Sequence, residues 1–133
     1  MSLKTTFFAL TLFTCPVLAD LAPSVYTNGG PTQETLGVCI ASAKRQMRLA
    51  GFTKYLDVIY DKSNSHSASI FAEKKNKPVS IAYRCMTDIS SWTYGIAAND
   101  NDEAWDAYSD FYNIVSELLN EQNSNEYKLR ARR

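Results

Sequence analysis

The chain is poor in the residues that usually announce a chemistry: 133 positions hold one histidine, three cysteines, five glycines and four prolines. With a single histidine, a zinc site would have to be assembled largely from carboxylates. With so little glycine there is no phosphate-cradling loop; the one Gly-Gly pair, Gly29-Gly30, runs into Pro31 and fits no such spacing. No Asn-x-Ser/Thr sequon occurs. No apolar run approaches the roughly twenty residues that a membrane-spanning helix needs. Neither a metal nor an organic cofactor is expected.

What the chain does have begins at its N-terminus. Lys4 precedes an uncharged, largely apolar run, Thr5 to Thr14, and Pro16 follows, with Val17-Leu18-Ala19 placing small residues at the −3 and −1 positions. This pattern reads as a secretory signal peptide over 1–19, cleaved between Ala19 and Asp20. A lipoprotein reading centred on Cys15 is disfavoured by Phe13, Thr14 and Pro16 around it. The mature product is expected to be secreted or periplasmic, with no transmembrane segment. Export removes Cys15 and leaves Cys39 and Cys85, which are expected to pair, since an oxidising compartment favours a disulfide.

Beyond the signal, residues 20–34 read as an irregular lead-in, because Pro23, Gly29, Gly30 and Pro31 interrupt any pattern. A single α+β domain is expected over 35–120. Leu36, Cys39 or Ile40, Ala43, Met47 and Ala50 recur at helical spacing, Thr32 or Thr35 can cap the start, and Gly51 closes the end. Four alternating runs follow: 55–61, 67–73, 79–86 and 92–97. Polar turns, 62–66 and 74–78, separate the first three. Acidic and capping residues at 99–103 open a last helix, with an apolar stripe of Trp105, Tyr108, Phe111 or Tyr112, Val115 and Leu118 or Leu119. Residues 121–133 read as a polar, basic, disordered tail.

The order is therefore α-β-β-β-β-α, a two-layer sandwich with a four-stranded antiparallel meander, both helices on one face and one disulfide. Cys39 lies on the buried side of its helix, so Cys85 must point at that helix, and Val79, Ile81 and Tyr83 point with it by alternation. The opposite sheet face would be built of Ser69, Phe71, Ser80, Ala82, Arg84, Thr93, Gly95 and Ala97, flat enough for a partner or a homodimer.

Charge is segregated along the chain. Asp20 to Arg84 holds nine bases and five acids, whereas Cys85 to Tyr127 holds nine acids and no base. On the last helix Asp102, Asp106, Asp110, Glu117 and Glu121 recur near helical spacing, and like charges at i, i+4 destabilise an isolated helix. Two explanations compete: neutralisation by Lys44, Arg45 and Arg48 on the first helix, or a surface for a basic protein partner. The bases are too scattered, and the chain too near neutral, for nucleic acid.

Other constellations are weaker. His66 sits in a turn with Ser63, Ser65, Ser67 and Asp61 nearby, but adjacent loop residues do not hold triad geometry. The run 99–103 lacks the glycine and the twelfth-position glutamate of an EF-hand. The eight tyrosines and two tryptophans mostly fall on stripes expected to be buried, among them Tyr60, Tyr83, Trp92, Tyr94, Trp105 and Tyr108. The leading expectation is thus a non-catalytic, exported protein-binding module. The alternative is a small exported hydrolase using carboxylates of the 100–110 segment, or a ligand- or glycan-binding module.

Overall fold

In a computed structural model the chain is described over residues 23–130. The expected signal peptide and its cleavage site lie outside the described residues. The elements are β1 (Ser24–Pro31), α1 (Leu36–Leu49), β2 (Phe52–Tyr60), β3 (Ser67–Lys74), β4 (Val79–Met86), β5 (Ser91–Ala98) and α2 (Asn101–Arg130). They form a five-stranded antiparallel sheet in the order β1-β5-β4-β3-β2.

The first helix follows the residue pattern closely. The Thr35 hydroxyl accepts from the Val38 amide, and Gly51 leaves the helix with φ +82, a conformation that side-chain-bearing residues adopt only under strain. β2 to β5 form the expected meander. In β4 burial alternates strictly, with Val79, Ile81, Tyr83 and Cys85 inside and Ser80, Ala82 and Arg84 outside. Cys39 and Cys85 are bonded. Phe111 of α2 packs on Tyr83 and Tyr94, whose side chains share the Cys85 side of the sheet. Both helices therefore meet this one face.

Three expectations are corrected. The sheet has five strands, not four, because part of the presumed irregular lead-in is β1. The order becomes β-α-β-β-β-β-α. Gly29, Gly30 and Pro31 mask this strand in the sequence, but its neighbour β5 explains them. A Cβ on Gly30 would lie 2.8 Å from the Trp92 ring, and one on Gly29 2.7 Å from the Trp92 carbonyl oxygen. Only glycine lets the edge strand lie that close, and Pro31 is tolerated at the strand's end.

The second correction concerns the tail. Residues 121–130 are helical and continue α2 to Arg130, since nothing after Asn120 is a helix breaker and Glu126 pairs with Arg130 one turn on at 2.6 Å. Third, the layering is incomplete. Thirty helical residues extend about 45 Å, against about 26 Å for an eight-residue strand, and Val115 is the last buried one among the described residues of α2. The last turns of the helix, past Asn123, project beyond the sheet.

The core joins both helices to the sheet through Phe52, Phe111, Met47, Ile70, Ile81, Ile96 and Val79. Trp92, Tyr94 and Tyr83 stack in parallel within it. Burial pushes the Tyr94 hydroxyl up to about 12, and Asn28 approaches it without completing a hydrogen bond. Burial first, and then the Glu34 charge, also raises Tyr83.

Both hydroxyls thus keep their protons in the folded protein where an unfolded tyrosine, near 10.0, releases its own. Their contribution to stability is full below pH 10 and is lost as the pH rises toward 12, because the unfolded state then binds fewer protons than the native one. In a tyrosinate absorbance titration, the last tyrosines of the eight to ionise should do so together with loss of the near-ultraviolet dichroism. Ionisation of all eight with the fold intact would refute this.

Candidate functional site

The exposed side of α2 gathers most of the residues singled out in the sequence. Its start is held at two points: Asp100 Oδ1 accepts from the Glu103 amide at 2.9 Å, and the Tyr26 hydroxyl donates to Asn101 Oδ1 at 2.8 Å. From there Asp102, Asp106, Asp110, Glu117 and Glu121 all stand exposed along one side. None is bridged by Lys44, Arg45 or Arg48 of α1 among the described residues. The neutralising charge comes from elsewhere: Lys74, at the end of β3, approaches Asp110 at 3.9 Å. Lys74 and Lys77 share an open depression with Glu103, Asp106 and Asp110. The 100–110 carboxylates line this shallow surface and the helix start, and Asp100 is engaged in capping.

On the opposite flank of α2, toward Tyr26 of β1 rather than Lys74 of β3, runs an aromatic ridge that the residue spacing did not reveal. Ala104, Ala107, Phe111 and Val115 are the buried positions of α2, so the helix is turned about one residue from the expected stripe. Two alanines let the backbone sit near the large rings of β5, and Trp105 is rotated out to 50% exposure, with Tyr112 at 46%. Trp105, Tyr108 and Tyr112 stack in sequence at 5.7 and 6.2 Å between centroids, and Tyr26 meets the Trp105 ring edge-on at 5.2 Å. Such stacking holds large side chains rigid at the surface. Both stripe phases obey helical spacing, so the spacing alone could not separate them.

The opposite sheet face is assembled as expected. Ser80, Ala82, Arg84 and Thr93 are exposed beside Gly95, Ala97, Ser69 and Phe71, and Val25 of β1 and Ile59 of β2 extend the face at its two edges. His66 is exposed in the β2–β3 turn, where its carbonyl accepts from the Thr87 amide and hydroxyl. Asp61 accepts from the amide and hydroxyl of Ser63 rather than from His66. The Ser63 hydroxyl is the main influence holding the Asp61 carboxyl below its usual range. Among the described residues no three His, Cys, Asp or Glu side chains come together as metal ligands. No described helix is long and apolar enough to cross a membrane.

A further feature escaped the sequence: a cleft of about 270 Å³ between α1 and α2, lined by Gln46, Ser42, Glu34, Tyr83, Trp92 and Leu119 among others. Its residues come from four segments remote in the chain, so no local motif could disclose it. No protein-family model matches the chain, and no curated protein or solved structure shows significant similarity to it.

Proposed function

We propose that this is an exported, non-catalytic binding protein that uses the exposed side of α2 to hold a basic protein partner. The observation that carries this reading is that the exposed surface of α2 is bounded on the β3 flank by an acidic row and on the β1 flank by half-exposed, stacked aromatics. Tryptophan and tyrosine dominate the energetic centres of protein interfaces, whereas charges at the margin steer encounter and select the partner. The Trp105, Tyr108 and Tyr112 rings lean on one another with 28° and 26° between successive planes. Export accords with the Cys39–Cys85 disulfide and with the signal peptide read in the sequence.

The test is affinity capture of a basic protein from the native envelope or secreted fraction. Asp102→Lys with Asp106→Lys removes two exposed carboxylates that form no ion pair. It should cost about 1 kcal/mol or less, the loss of a favourable acid from the first helical turn, while abolishing recovery of the partner. Trp105→Ala should weaken recovery as strongly without altering its salt dependence. Undiminished capture by both variants would end the proposal.

A further inference from the structure

The cleft between α1 and α2 lies away from the acidic row and contains a feature that core packing does not explain. Gln46 occupies a position on the inner side of α1 between the buried Ala43 and Met47, and is 5% exposed. Its Oε1 is fully buried without a hydrogen-bond partner. Its Nε2 reaches only the Ser42 hydroxyl, one turn back, at 3.4 Å, a distance at the weak end of hydrogen bonding. A leucine would fill this place as well and leave nothing unmet, so the unpaired amide is a local conflict of the kind that marks functional positions. The indole N–H of Trp92 already donates to the Pro31 carbonyl at 3.1 Å, so it cannot answer the Gln46 oxygen.

Trp92, Val115, Leu118 and Leu119 give the cleft an apolar side, neutral hydroxyls and amides such as Ser42 and Gln122 line the rest, and its one acidic group is Glu34. The Glu34 charge is felt as far in as the Tyr83 hydroxyl. The cleft is a little smaller than the roughly 300–1,000 Å³ of sites for drug-sized ligands, so its occupant is fragment-sized. An acceptor without a donor, a carboxylate in no ion pair among the described residues and one apolar side define the complement between them.

We propose that this cleft binds a small primary ammonium on an apolar body, its N–H groups directed to Gln46 Oε1 and Glu34 and its body lying against Trp92 and Leu119. The weakly held Gln46 amide turns toward the ammonium as it enters. This site is independent of the partner surface on α2, so either can fail without the other.

The experiment titrates the oxidised protein with phenethylamine, 2-phenylethanol and phenylacetate, following the Gln46 side-chain amide and Trp92 indole resonances by NMR. Phenethylamine should shift both saturably, 2-phenylethanol should bind at least tenfold more weakly, and phenylacetate should produce no shift. Glu34→Gln should weaken phenethylamine about tenfold, and Gln46→Leu at least tenfold with an unchanged or higher Tm, since a buried unpaired acceptor is removed. Should Gln46→Leu fail to fold, Glu34→Gln decides alone, because that side chain is only partly buried. The proposal is overturned if phenethylamine gives no saturable shift, if either control binds as tightly, or if Glu34→Gln leaves its affinity unchanged.

Discussion

Replacing Cys39 and Cys85 together by alanine should lower the unfolding free energy by about 4 kcal/mol, the chain-entropy value for a closed loop of this size. The bond spans 46 positions and ties the first turn of α1 to the end of β4, so the unfolded chain without it gains the freedom of everything from α1 to β4. A domain of this length is stabilised by only about 5–15 kcal/mol in total. The variant should therefore melt roughly 15 °C or more below the wild type. Urea unfolding of the variant and of the reduced wild type should agree. A loss below about 1 kcal/mol in both would show that packing alone fixes α1 on the sheet.

The second large effect is at Phe111. Its ring is completely buried and meets Phe52 at 6.2 Å, Tyr83 at 6.5 Å and Tyr94 at 4.6 Å between centroids. It is the point at which α2 is held against the sheet and against the start of β2. Phe111→Ala should cost about 3–5 kcal/mol, combining lost transfer free energy with the cavity left among three rings that cannot collapse together. Phe71→Ala removes the same ring from the open sheet face, where it is 42% exposed, and should cost far less. Equal melting temperatures for the two variants would contradict the assignment of these faces.

Local order explains what the sequence disclosed. The α1 boundaries, the four strands of the meander and the Cys39–Cys85 pair were legible because each rests on local rules: a cap at Thr35, a left-handed Gly51 and strict alternation in β4. The disulfide then oriented Val79, Ile81 and Tyr83 correctly. β1 was hidden because its glycines answer to Trp92, far along the chain on β5, rather than to their own neighbours. The helical end of α2 is hidden because a polar stretch without glycine or proline suits a solvated tail and a solvated helix equally.

The candidate surface was legible by half. The acidic row at Asp102, Asp106, Asp110, Glu117 and Glu121 follows from spacing, and all five are exposed. The ridge of Trp105 and Tyr112 depended on a helix phase set by Ala104 and Ala107 against β5. Tyr60 was likewise expected inside and is 62% exposed, because β2 lies at the sheet edge. Gln46 gave no signal at all, since an unpaired atom is visible only when its surroundings are.

The sheet order also has a kinetic meaning. β1 and β2 are neighbours in the chain, separated only by α1, yet they occupy opposite edges of the sheet. The β2–β5 meander forms from hairpins of low contact order, so it nucleates early. β1 must wait until β5 exists, because Pro31 pairs with Ser91 and Ser24 with Ala98, and closing so long a loop is slow. Until β1 docks, β5 presents an open edge of unpaired amides to any other strand in solution. The same connectivity makes a folding chain most vulnerable to intermolecular strand exchange in the interval before β1 is added last.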